Sequence, residues 1–480
     1  MTDRALITDG VVLTGPPLTG QFRTADVLIE DGTITAIAPD LAGTHGAGVD
    51  AEVIDAHGMF VLPGFVDTHA HLWESTMRGL TADWDLLQFV WGIRFNHAGL
   101  HTPDDLYAGA HAGALALLDA GTTTVLDHVH CLPTPAHVDQ SLQAVSDAGL
   151  RSVWCYGLND LPSTTPAFSN QKQRELDVRR VRAALPTGGR ITFGLAPNDI
   201  TSVPWDATRA EFLLGRDLDV LVTAHLHSVW GPGRAPEVEW LAHDGLLNAR
   251  QVFSHATAIS DLELSLLAGT GAAISSTPDS ELQMGLGFPV FARAATLGIP
   301  VGLGSDLQAN NSPDAFTQMR LARQAENGRQ QQRLLDGPGT SGLSGVPVSV
   351  RQVLHAATLG GATALGLDGV TGSLEPGKTA DLVLLRNDRI GQRPVVDPFA
   401  TIVMHSGAGD VDTVLVAGEV LKRAGTLVAD TRRASGLVEA SWEALAARMR
   451  DRGGATPARP AGMLEQLGQA AWANRPSWAS

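Results

Sequence analysis

Between residues 59 and 306, eight apolar runs of strand character alternate with stretches of helical pattern, and several of the runs end in histidine or aspartate. They are Met59–His71, Thr122–His128, Arg151–Tyr156, Ile191–Ala196, Val220–His227, Gln251–His255, Gly271–Ser275 and Ile299–Asp306. Strands alternating with helices predict parallel pairing, and eight such units is the count of a closed (β/α)8 barrel. In a strand, residues two apart share a face. His69 and His71 therefore direct two imidazoles at one point, and so do His225 and His227. With His128, His130 and His255, seven of the chain's 16 histidines fall at strand ends, and Asp306 closes the last strand. Barrel enzymes work at the carboxyl ends of their strands, so imidazoles collected there point to metal binding and proton transfer.

Both flanks are strand-rich. Asp9-Gly10 and Asp31-Gly32 read as hairpin turns among short strands over residues 5–62. After residue 370, Asp381–Leu385, Thr401–Met404 and Val411–Val416 read as strands, with a tight turn at Ala417-Gly418-Glu419. The plainest α/β architecture is a TIM-like barrel over residues 61–365 beside a small composite β-sandwich built from both ends of the chain, residues 1–60 plus 366–430. Residues 431–480 read as a C-terminal helix, over 436–452, followed by a loosely held tail. Gly337–Gly342 reads as a surface loop.

Composition narrows the partners. The formal net charge of −17 over 480 residues argues against nucleic acid and anionic membranes, which need clustered Lys and Arg. No run of 18 apolar residues is present and the N-terminus lacks a signal-peptide pattern, so neither a membrane span nor secretion is expected. Two cysteines, Cys131 and Cys155, make no disulfide framework and fit a reduced, cytoplasmic setting. The partner expected is a small-molecule substrate. The charge is compatible with a homodimer without requiring one.

The string Pro63-Gly64-Phe65-Val66-Asp67-Thr68-His69-Ala70-His71 resembles the first-strand signature of the amidohydrolase superfamily. Gly302-Leu303-Gly304-Ser305-Asp306 resembles its last-strand motif, and Glu375-Pro376-Gly377-Lys378-Thr379-Ala380-Asp381-Leu382-Val383 its return into the sandwich. Gly121–Val125 with Asp127-His128, and Gly194-Leu195-Ala196-Pro197, bring it nearest to the cytosine deaminase, guanine deaminase and triazine hydrolase branch. The resemblance spans residues 5–420. It implies that His69, His71, His227 and Asp306 hold one divalent cation, with zinc expected first and iron or manganese as alternatives. It further implies that Asp306 takes a proton from the attacking water and that His255 bonds that water or the substrate. His227 is preferred to His225 because the family string His-x-His-x-x-Glu places its ligand at the second histidine. His128, His130, Asn198 and Trp230 are candidate substrate contacts. The barrel's one lysine, Lys172, lies in a polar helical stretch and reads as a surface residue, which favours a single metal over a lysine-bridged pair.

The chain departs from the family at one point. Deaminases of this branch carry a glutamate three residues after the fifth-strand histidine. Here that position holds Trp230, or Ser228 if His225 is the ligand, and neither transfers protons. Glu237, Glu239, Asp199, His128 and His130 are substitute acids. The function expected is hydrolysis of a carbon–nitrogen bond of a small heterocycle by metal-activated water, as deamination or as cyclic amide or amidine hydrolysis. The alternative is a hydrolytic dehalogenase, or a decarboxylase or lyase, on the same scaffold.

Overall fold

A computed structural model of the chain describes residues 4–45, 50–159, 168–226, 235–337 and 346–479. Eight parallel strands close into a barrel: Phe65–His71, Thr122–Val129, Arg151–Gly157, Ile191–Ala196, Leu221–Leu226, Gln251–His255, Ala273–Ser276 and Val301–Leu303. Closure joins the eighth strand to the first through Leu303 opposite Asp67, and a short continuation, Asp306–Leu307, pairs with Ala70 and His71. Nearly every barrel-strand residue is buried, as expected where helices cover the outside and side chains fill the inside.

The Met59–His71 run serves two sheets. Phe60–Pro63 pairs antiparallel with Leu382–Leu385, and Phe65–His71 enters the barrel. Gly64 makes the hand-off because a Cβ there would lie 2.1 Å from Thr123 Oγ1. The second sheet has nine strands and draws on both ends of the chain, with Arg4–Thr14, Gln21–Glu30 and Thr33–Ala38 on one side of Phe60–Pro63 and Leu382–Leu385, Val411–Val416 and Glu419–Arg423 on the other. Arg151 fastens it to the barrel. Its guanidinium donates to the buried Asp381 carboxylate from Nε at 2.6 Å and from Nη2 at 3.2 Å.

Two local expectations change. Asp9-Gly10 is a bulge, not a hairpin, and Arg4–Thr14 runs through it as one strand. Asp9 takes φ +56, its N–H donates to Asp26, and the glycine leaves room for Val61. Asp31-Gly32 and Ala417-Gly418 do turn, each with two positive φ values, as the type I′ hairpin turn requires. The second change is at Thr401–Met404, which is helical. Asp397 caps Pro398–Ala400, and the wide helical turn Thr401–His405 continues from it.

The C-terminal segment is more ordered than a loose tail. Helices form at Thr431–Arg450 and Met463–Ala473. The stretch between and after them is tied across the barrel mouth. Arg459 bonds both oxygens of Asp85, Gln88 donates to the carbonyl of Pro457, and Asn474 donates to that of Thr201. Most of Gly337–Gly342 lies outside the described residues.

Candidate functional site

The histidines at the strand ends converge. Donor atoms of His69, His71 and Asp306 lie within 4.8 Å of one another, as do those of His69, His128 and His225, and those of His71, His130 and His225. Asp306 Oδ1 is 3.2 Å from His69 Nε2 and 3.4 Å from His71 Nε2. All of these residues are buried.

The sequence builds this geometry at the barrel seam. Asp67 accepts the N–H groups of both His69 and Ser305, so one carboxyl fixes the first and last strands just before each presents its functional side chain. Burial pushes that carboxyl up to about 7. Gly304 lies so close to the first strand that a Cβ would sit 2.7 Å from the carbonyl oxygen of His69. Asp306 itself takes φ +61, a conformation that costs energy for a residue with a Cβ and is characteristic of functional sites.

Each imidazole is oriented from behind. His71 Nδ1–H donates to the carbonyl of His128 at 2.7 Å, His69 Nδ1 faces Ser254 Oγ at 2.8 Å, and His225 Nδ1–H donates to Asp199 at 2.8 Å. Asp199 is in turn 3.3 Å from Arg94. Such backing leaves Nε2 free to bind a metal. Burial, reinforced by neighbouring imidazoles, holds His69, His71, His128 and His130 well below the usual histidine range, so they are neutral donors.

The donor set fits a cation. His69 Nε2 and Asp306 Oδ1 are buried without a hydrogen-bond partner, as are both ring nitrogens of His128 and of His130. Unpartnered buried polar atoms are costly, and several aimed at one point are what a resident cation would satisfy. His225 occupies the cluster from the fifth strand. His227 and Trp230, expected as ligand and substrate contact, lie outside the described residues.

A cavity of about 460 Å³ opens above the cluster. His71, His130, His225, His255 and Asp306 line its floor, and Leu86, Phe89, Phe95, Met284, Leu286 and Leu467 line its walls. Asn198 also faces it, but its amide is committed to Glu211 and to the carbonyl of Leu158. His128 is packed beneath, its ring stacked at 4.6 Å on His225. Lys172 is exposed on the helix Gln171–Ala184, away from any bridging position. Asp199 is unsuited as a proton donor. Although burial opposes ionisation, Arg94 and His225 hold its carboxyl well below the usual range.

Four participants were missed in the sequence. Arg94 reaches the cavity from a wide π-type helical stretch, Val90–His97, of the kind that often marks functional sites. Leu467 and Ala470 bring the C-terminal helix into the wall. Glu74 is fully buried with both oxygens unpartnered, and burial, with Asp306 next, keeps its carboxyl far above the usual range. The spacing His71-x-x-Glu74 was the available signal.

The amidohydrolase family model matches residues 60–421, so the chain belongs to that family, and with it is a metal-dependent hydrolase of carbon–nitrogen bonds. It is similar to a 5'-deoxyadenosine deaminase of Methanothermobacter thermautotrophicus, with 29% identity over 87% of this chain and 94% of that protein. It is 30% identical to a 5-methylthioadenosine/S-adenosylhomocysteine deaminase of Symbiobacterium thermophilum over 87% of this chain and 93% of that one. Among solved structures, an adenosine deaminase from Xanthomonas campestris with bound zinc superposes with a TM-score of 0.78 at 23% identity, covering 93% and 98% of the two chains. A triazine hydrolase variant gives 0.79 at 23% identity, covering 92% and 99%. At that identity the two structures speak for the fold.

Proposed function

We propose that the chain deaminates a small aminated heterocycle, with His69, His71, His225 and Asp306 holding one divalent cation, zinc in the first instance. The observation that carries this reading is the approach of donor atoms of His69, His71 and Asp306 to within 4.8 Å of one another, with His69 Nε2 and Asp306 Oδ1 buried and unpartnered and His225 grouped with each of the two first-strand histidines in turn. His225 takes the fifth-strand place in this set because Asp199 orients it into the cluster. A cation held there supplies Lewis acidity that makes water nucleophilic near neutral pH. Asp306 is placed to accept a proton from that water, and His255 faces the same space from the sixth strand. The neutral rings of His71 and His130 flank the substrate, and Arg94 offers a fixed positive charge at the rim.

The apolar walls favour a flat ring carrying an apolar substituent, in keeping with the deoxyadenosine and methylthioadenosine deaminases among the relatives. The free, buried cysteines fit a cytoplasmic setting. Halide displacement is a second reading, favoured by the absence of glutamate at positions 228 and 230. Incubating the zinc-loaded protein with aminated purines, chlorinated triazines and cyclic amides separates the two. Ammonia from the aminated compounds is the expected result. Chloride alone would favour the second reading, and no product from any of them would refute both.

A further inference from the structure

His71, His225, His255 and Asp306 line the cavity floor, yet none of them is more than 7% exposed. Leu467 and Ala470, on the helix Met463–Ala473, stand in the wall above them. This helix lies beyond the family match, which ends at residue 421. It crosses the mouth from one side to the other. Ahead of it, the chain is anchored on the segment that follows the first strand. The carbonyl of Ala455 is 2.9 Å from His97 Nε2, that of Pro457 accepts from Gln88 at 3.0 Å, and Arg459 Nη1 donates to both oxygens of Asp85. Beyond the helix, the chain meets the segments that follow the fourth and fifth strands. Asn474 donates to the carbonyl of Thr201 at 2.8 Å, and the Trp478 ring stacks on His243 at 3.6 Å. Trp472 lies edge-on to Trp240, with ring centroids 6.0 Å apart.

Gly462 stands between the anchor and the helix. It takes φ +73, and a Cβ there would have no atom nearer than 3.9 Å. Glycine adopts that conformation without strain, and an unpacked backbone with that freedom is what a hinge needs. The grip on the helix is light. Of its eleven residues only Met463, Gly468 and Ala471 are buried, whereas the helix Pro103–Asp119 buries ten of its seventeen. An element that buries so little opens far more readily than the barrel beneath it unfolds. We propose, resting on the carbon–nitrogen hydrolysis read above, that residues 463–479 are the lid of this site. The lid swings on Gly462, Asn474 and Trp478 latch it to the far side of the mouth, and the heterocycle enters and product leaves beneath Leu467 and Ala470. Latched, the helix shields the floor from bulk water and limits the size of what is held below it.

The test uses the full, zinc-loaded chain. His243 and Trp478 lie outside the cavity lining, and both native cysteines are buried, so a His243→Cys/Trp478→Cys variant offers two accessible thiols that a short bis-maleimide joins across the latch. Each single-cysteine variant treated with the same reagent is the control. Hydrogen exchange in the unmodified protein is expected to run about tenfold or more faster over 463–473 than over 103–119. Bridging slows exchange over 463–473 and leaves the barrel unchanged, and Asn474→Ala/Trp478→Ala speeds it. With 5'-deoxyadenosine, bridging lowers kcat/KM about tenfold or more, and the single-cysteine controls do not. Exchange over 463–473 as slow as over 103–119 overturns the proposal. So does a bridged protein that keeps full kcat/KM, which would make the helix a fixed wall. If no heterocycle is turned over, the proposed function fails, while the exchange rates still decide whether the helix opens.

Discussion

His225 and Asp199 meet at 2.8 Å, Nδ1 to Oδ1, with the far oxygen of the carboxylate 3.3 Å from Arg94. The ring nitrogen facing the cluster is thereby left bare, with the ring held in place by the carboxylate behind it. The Arg94 side of this arrangement comes from the helical stretch after the first strand, so the cavity rim and the cation site share one electrostatic network.

Asp199→Asn therefore weakens metal retention. The amide keeps the volume but loses the charge, and such backing groups are worth about 10–100-fold in affinity. Competition with a chromophoric zinc chelator measures this. An affinity unchanged from wild type would mean that His225 does not ligate.

The buried pair Arg151–Asp381 joins the barrel to the second sheet. Arg151→Met strands the Asp381 carboxylate, which is fully buried, and costs about 3–5 kcal/mol. Arg423→Met removes an ion pair with Glu52 whose two side chains are about half exposed, and costs at most about 1 kcal/mol. Thermal melts of the two variants, compared with wild type, show a large fall for the first and little for the second.

Burial pushes Glu281 from 4.5 up to about 8. Between those values the folded chain holds a proton that the unfolded chain has released, so this contribution to stability is complete below about 4.5 and is lost as pH rises through about 8. Glutamine does not titrate. Relative to Glu281→Gln, wild type loses up to ~1.4 kcal/mol for each pH unit in that window. Urea unfolding of both proteins at pH 5.5, 7 and 8.5 reads the difference, and parallel curves would show that Glu281 titrates as it does in water.

Leu467 and Ala470 put the C-terminal helix in the cavity wall. Ala470→Trp fills part of the space above the floor while leaving the cluster intact. kcat/KM falls steeply for heterocycles with bulky substituents and little for the bare ring. Equal losses on both would place the helix outside the substrate's path.

The barrel was legible because its strands are continuous apolar runs, and the candidate cluster because His-x-His pairs and a terminal aspartate at strand ends stand out in the sequence. The rest depended on contacts distant in sequence. Asp9-Gly10 has the composition of a hairpin, yet Val61 and Asp26, far along the chain, make it a bulge. Thr401–Met404 has β-branched character, but the cap at Asp397 starts a helix first. Arg94 and Leu467 carry no motif, and only the closed barrel brings them to one cavity. The same pattern that flagged both His225 and His227 could not choose between them, since both would face inward.

Everything turns on where the cation sits. A crystal of the zinc-loaded protein, measured on either side of the zinc absorption edge, locates it directly. A single anomalous peak about 2 Å from the Nε2 atoms of His69, His71 and His225 and from the Asp306 carboxylate is the predicted result. A peak elsewhere, or a protein that takes up no zinc, iron or manganese, would contradict the account.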